Sequence, residues 1–182
     1  MSINLEKGQK ISLDESLKSV SMRLGWDTVT SLFGSSIDLD ASCAMFDSNK
    51  ELVESVSFRN LKAFSGAVEH SGDNLTGAGD GDDEIIYVKL DKIPSTVSSI
   101  VFVVTSYRGQ SFDKVNNCFA RLVDESNGNE ISIYKLAEKG SHTALIMCKL
   151  YRHNGAWKMS SIGQPLNAKV ISESVSTIKT FL

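Results

Sequence analysis

Five consecutive apolar residues, Ile100-Val-Phe-Val-Val104, set the strongest limit on how this chain folds. Successive strand residues point to opposite faces, so a run that is apolar on both faces needs cover on both. That makes residues 99–105 a central strand of a packed sheet. Pro94 sits safely before it, where its missing N–H removes no ladder bond.

The flanking segments repeat the strand period. From Val20 to Trp26 the chain alternates strictly, with Val20, Met22, Leu24 and Trp26 on one face and Ser21, Arg23 and Gly25 on the other. Residues 37–43 alternate again, setting Asp38, Asp40 and Ser42 opposite Ile37, Leu39, Ala41 and Cys43. If these two strands form an antiparallel hairpin across the connection at 28–36, Asp27 and Asp38 fall at the same end of the sheet. Further strands are expected at 53–58, 84–90, 119–124, 130–136, 144–152 and 156–162, with a loop at 60–70. A connector or helical turn is expected at 112–117. Asn154-Gly155 marks a tight hairpin with positive φ. Residues 167–181 carry an interrupted helical stripe of Val170, Ile171, Val175 and Ile178. About nine short strands separated by turn signals predict an antiparallel two-sheet β-sandwich, all-β, with short helical turns and a short C-terminal helix.

At 182 residues the chain suffices for one well-buried domain, and no linker divides it. A formal net charge of −3 gives nothing to attract nucleic acid or an anionic membrane. The N-terminal residues lack the apolar core of a signal peptide, and no apolar run approaches membrane-spanning length. Cys43, Cys118 and Cys148 are odd in number and widely spaced, which reads as reduced structural thiols in the cytoplasm.

The acidity is concentrated. Between Gly72 and Glu84 stand five carboxylates (Asp73, Asp80, Asp82, Asp83, Glu84) and four glycines, and no Lys or Arg occurs from Ala63 to Val88. Like charges this close repel, and folding them into one loop calls for a positive charge. Glycines let carboxylates and carbonyls converge, and oxygen ligands without thiol or imidazole partners favour Ca²⁺ over Mg²⁺. A solvated acidic turn is the plain alternative. An EF-hand is not: counting from Asp80, the sixth position is Ile85 rather than Gly, and a strand follows. Asp38 and Asp40 alone offer half a shell, as does the acidic stretch, so the two clusters are expected to meet in space, with Asp27 nearby.

Little points to catalysis. His70, His142 and His153 stand far apart, and there is no nucleophile elbow, phosphate-binding loop or His-Glu-x-x-His. Arg121 reads as a charge on the solvated face of an apolar strand. The cysteines lack cationic neighbours that would obviously create thiolates.

Several segments together resemble the TerD family of tellurium-resistance and general stress proteins, which has relatives described as cyclic-AMP-binding in slime moulds. They are Leu24-Gly-Trp-Asp27, Asp38-Leu-Asp-Ala-Ser42, Glu69-His-Ser-Gly-Asp-Asn-Leu-Thr-Gly77, Gly79-Asp-Gly-Asp-Asp-Glu84, Ile100-Val-Phe-Val-Val-Thr105 and Leu150-Tyr-Arg-His-Asn-Gly155. The likeness spans about 5–163, and the tail from about 164, Gln164-Pro-Leu-Asn with a Ser-rich end, departs from the bacterial pattern. The resemblance implies a cytoplasmic β-sandwich that binds Ca²⁺, generally two ions. It also implies partners in a stress-response complex, some of them membrane-associated, and no enzyme activity. It places the calcium motifs on Asp38, Asp40, Asp73, Asn74, Asp80, Asp82, Asp83 and Glu84, with Asp27 as a neighbour. The expected function is a calcium-binding stress-response module presenting a metal-dependent surface. The alternative is a metal-dependent hydrolase or a small-anion or nucleotide binder anchored on the cation.

Overall fold

A computed structural model describes residues 3–4, 8–13, 16–27, 37–77, 81–135 and 140–182. In chain order the strands are β1 (Ile3–Asn4), β2 (Lys10–Ser12), β3 (Ser19–Asp27), β4 (Leu39–Phe46), β5 (Leu52–Val56), β6 (Lys62–Ala63) and β7 (Val68–His70). Then follow β8 (Glu84–Lys89), β9 (Ser99–Ser106), β10 (Asn116–Asp124), β11 (Glu130–Lys135), β12 (Ala144–His153) and β13 (Ala156–Leu166). They form two sheets, one ordered β1-β11-β10-β3-β8-β7-β6 and the other β2-β13-β12-β9-β4-β5. Apart from the parallel pair β1–β11, the pairings are antiparallel. This is the two-sheet β-sandwich that the alternation predicts, with more strands than the nine expected. The extra ones are short, and β6 and β7 occupy what reads in sequence as a loop.

The central run behaves as its composition demands. In β9, Ile100, Phe102 and Val104 join the core between the sheets. Val101 and Val103 face outward into a second cluster with Ala44, Phe46, Ile146, Ile171 and Ile178. That second cluster is covered by the C-terminal segment: a 3₁₀ turn (Ile171–Ser174), the one-turn helix α1 (Val175–Ile178) and a further 3₁₀ turn (Lys179–Phe181). So the six-stranded sheet is apolar on both faces at its centre, which is why β4 is buried along its whole length.

One expectation is corrected. β3 and β4 do not make a hairpin: β3 lies in the seven-stranded sheet between β10 and β8, whereas β4 lies in the other sheet between β9 and β5. A strand that must bury both faces takes a central place beneath the C-terminal cap, and β4 has that need where β3 does not. The connection at 28–36 lies outside the described residues.

Candidate metal centre

The site begins with a gap in a sheet. β5 pairs with β4 only from Cys43 to Phe46, so the first residues of β4 have no strand partner on that side. The opposite sheet supplies side chains instead. Glu84, the first residue of β8, accepts the Ala41 N–H through Oε2 at 2.7 Å. His70, the last residue of β7, presents Nε2 to the Ala41 carbonyl at 3.1 Å. The Gly72 N–H donates to His70 Nδ1, which leaves the ring proton on Nε2, aimed at Ala41. Glu84 Oε1 accepts the Asn74 N–H at 3.1 Å. The Glu84 carboxylate is thus hydrogen-bonded at both oxygens, yet it is 0% exposed.

These contacts draw the loop between β7 and β8 against the start of β4. Asp38, Asp40 and Asp73 each bring a carboxylate oxygen to within 4.8 Å of one another. Asp38 is 3% exposed and Asp40 2%. Asp38 Oδ1 and Asp40 Oδ2 are buried without a hydrogen-bond partner among the described residues. Burial, reinforced by Glu84, Asp38 and Asp73, pushes the Asp40 carboxyl up to about 8. Burial and Asp73 also raise Asp38, against the pull of Arg108, whose Nε lies 3.5 Å from Asp38 Oδ2. Arg108 is 40% exposed and makes a weak counter-ion for so much buried charge.

The other predicted residues have different surroundings. Asn74 and Asp83 shape the loop: Asp83 accepts the Trp26 N–H at 2.9 Å and Asn74 Nδ2 at 2.9 Å. Asn74 Oδ1 in turn accepts the N–H groups of Thr76 and Gly77. Burial raises the Asp83 carboxyl. Asp82 turns to the outer face of the seven-stranded sheet, where Arg23 and Arg121 stand directly opposite each other on β3 and β10. Arg121 grips it with Nε at 2.9 Å and Nη2 at 2.7 Å, and Arg23 Nη1 adds a bond at 3.1 Å. Burial works against the charged form of Asp82, but the two guanidiniums outweigh it and lower its pKa. Asp27 is exposed and accepts Asn117 Nδ2 at 2.6 Å. Asp80 lies outside the described residues.

The donor set brought together is all carboxylate oxygen, which suits a hard divalent cation. Sequence reasoning missed His70, Arg23 and Arg108. For His70 and Arg108 no local signal exists, because their partners come from other strands. Arg23 and Arg121 were each visible as polar-face residues, but their pairing across β3 and β10 was not. The three cysteines form no disulfide and are buried, and burial pushes the Cys43 thiol up to about 12 and raises Cys148 as well. No helix is long and apolar enough to cross a membrane among the described residues.

Comparison with known proteins gives the fold a context. The model of the TerD domain matches residues 1–174. Tellurium resistance protein TerZ of Serratia marcescens is 43% identical over 187 residues, covering 97% of this chain and 96% of that protein. Tellurium resistance protein TerD of Alcaligenes sp is 44% identical over 174 residues, and general stress protein 16U of Bacillus subtilis (strain 168) is 42% identical over 174. Each of these two matches covers 90% of both chains. The crystal structure of a homologue of telluride resistance protein (TerD) from Streptomyces coelicolor A3(2) superimposes with a TM-score of 0.79. That match covers 90% of this chain and 98% of the other; at 19% identity it speaks to the fold alone.

Proposed function

The chain belongs to the TerD family, and from that premise we propose that it is a cytoplasmic Ca²⁺-binding stress-response module whose cation sits between Asp38, Asp40 and Asp73. The names of its relatives, tellurium resistance and general stress proteins, support the stress-response role. The observation that carries the metal reading is the pair of orphaned oxygens, Asp38 Oδ1 and Asp40 Oδ2. A buried carboxylate oxygen without a partner costs more than the ~2–7 kcal/mol of a neutral polar group left unpaired, and two such oxygens converge here with the exposed carboxylate of Asp73. A divalent cation removes both the repulsion and the lost hydrogen bonds.

The ion would add a charge link between elements that the Glu84–Ala41 hydrogen bond already joins. Asp40 belongs to β4 of the six-stranded sheet with Asp38 just before it, and Asp73 to a loop of the seven-stranded one. Cation binding therefore sets how that loop lies against β4, and with it the surface offered to protein partners. The described carboxylates support one ion; a second would draw on the segment around Asp80.

Calorimetric titration of chelator-treated protein with Ca²⁺ tests the reading. Saturable binding near one or two ions per chain is expected, with Mg²⁺ weaker because it demands compact octahedral geometry. No measurable heat with millimolar Ca²⁺ would overturn it.

A further inference from the structure

The outer face of the six-stranded sheet changes character along β4 and β9. Ala44, Phe46, Val101 and Val103 lie under the C-terminal cap, packed with Ile171 and Ile178. The cap ends there, and the next residues on that same face are polar: Ser42 and Asp40 on β4, Thr105 on β9. Against the edge of the cap lies a cavity of about 210 Å³, lined among others by Ser42, Ser55, Ser57, Arg59, Thr105 and, from the cap, Ser172. Asp40 and Thr105 stand directly opposite each other in register, so the cavity adjoins the carboxylate cluster.

One of its groups, Thr105, lacks the partner its chemistry calls for, and the exposed Arg59 is free to take one. Thr105 is 1% exposed, and its Oγ1 has no hydrogen-bond partner among the described residues. An orphaned buried hydroxyl is costly unless something outside the protein completes it. Arg59 has no carboxylate within 4.0 Å among the described residues. Its guanidinium lies over the rings of Phe58 and Tyr107, 5.2 and 5.8 Å from their centroids, with a long 3.3 Å bond to the Tyr107 hydroxyl. Stacking of this kind holds the planar fork in place and leaves its N–H groups free to bind an oxyanion. Arg59 lines the same cavity as Thr105, whose register partner is Asp40.

We propose that this cavity binds the phosphoryl group of a small soluble phosphate monoester, held by Arg59 and the Thr105 hydroxyl and by the cation between Asp38, Asp40 and Asp73. The assignment rests on the cation reading above. A phosphoryl group has three terminal oxygens, and the site offers three kinds of partner: a guanidinium, a rim of hydroxyls and a metal ion. A carboxylate has one oxygen too few. Charge makes the binding conditional. Asp38, Asp40, Asp73 and Glu84 against Arg59 and Arg108 leave an excess of negative charge that repels an anion, and a dication cancels it. The cavity is smaller than the ~300–1,000 Å³ of sites that enclose a whole drug-sized ligand. It therefore takes the phosphoryl end, and the ester group lies in the opening.

Titration calorimetry with glycerol 3-phosphate on the full chain tests this, first with saturating Ca²⁺ and then with chelator. Saturable binding with Ca²⁺, at least about tenfold weaker without it, is expected. Arg59→Ala and Thr105→Val should each weaken it about tenfold, as loss of a charge-assisted hydrogen bond does, while Ca²⁺ affinity stays within about twofold. Thr105→Val without ligand should melt no lower than the parent, because it removes an orphaned hydroxyl; a marked drop would show a structural role and overturn the assignment. Ca²⁺ binding with no saturable heat from the ester overturns this proposal alone, as does ester binding that ignores both substitutions. Tighter binding of inorganic phosphate than of the ester overturns the ester assignment. Failure of Ca²⁺ itself to bind overturns the cation reading and this one with it.

Discussion

Asp40 is where burial and charge oppose each other most. Its carboxyl rises to about 8 because burial disfavours the anion, with Glu84, Asp38 and Asp73 adding repulsion. An acid raised in the folded state contributes stability that is complete below its unfolded value, near 4, and is lost as pH rises through 8. The chelated protein should therefore lose stability between pH 5 and 8.5. Asp40→Asn removes that loss, so at pH 8.5 without metal the variant should be about 1 kcal/mol more stable, ~2–4 °C in Tm for a domain of this size, while Ca²⁺ affinity falls more than about tenfold. An Asn variant that melts lower than the parent at pH 8.5 in chelator would contradict the buried repulsion. Gly77 carries a second prediction. Its φ is +63°, and a Cβ there would lie 2.4 Å from Nε1 of Trp26, whose indole donates to the Ile37 carbonyl. Gly77→Ala should cost about 1–3 kcal/mol and shift the Trp26 fluorescence; an unchanged melt and spectrum would refute it. The pairing of Asp38 with Asp40 was legible because strand alternation puts them on one face. The fate of Asp82 was not: Arg23 and Arg121 lie far from it in sequence and become neighbours only when β3 and β10 pair.

At the scale of elements, the start of β4 is completed by side chains rather than by a strand. Glu84 and His70 take the positions that β5 vacates, one accepting the Ala41 N–H and the other facing its carbonyl. Glu84→Gln keeps the shape but replaces one acceptor oxygen with an NH₂ group. Whichever way the amide turns, it faces either the Ala41 or the Asn74 N–H with a donor. The expected cost is about 1–3 kcal/mol, that of a buried polar group left unpaired, with faster hydrogen exchange at Ala41. Full stability with unchanged exchange at Ala41 would show that the edge does not depend on the carboxylate. β3 was legible because it is long enough to show its period, and β9 because its apolar run needs cover on both faces. β6 and β7 span two and three residues, too few to display alternation, and form because the edge of β8 needs partners. Asp38 and Asp40 were expected to meet the acidic stretch at Asp80 to Glu84; among the described residues it is Asp73 whose carboxylate joins them, across the two sheets and not by a hairpin.

For the whole molecule, the proposed cation site lies where the two sheets are joined at one end. Its carboxylates come from β4 in one sheet and from the β7–β8 loop attached to the other, and the Glu84 bond to Ala41 crosses the same seam. A ligand that binds only when both sides are in place binds the native state and not the unfolded chain, so its binding free energy adds to stability. At free Ca²⁺ about a hundredfold above the dissociation constant, linkage gives roughly 2.7 kcal/mol per site, or ~5–11 °C in Tm at 1 kcal/mol per ~2–4 °C. The shift should grow with the logarithm of Ca²⁺ concentration, and it should shrink sharply in Asp40→Asn. Hydrogen exchange should slow at the start of β4 and in the loop around Asp73 together, because one ion closes both. If Ca²⁺ raised Tm while protecting only the loop, the ion would be held on the loop's own surface and the seam between the sheets would play no part.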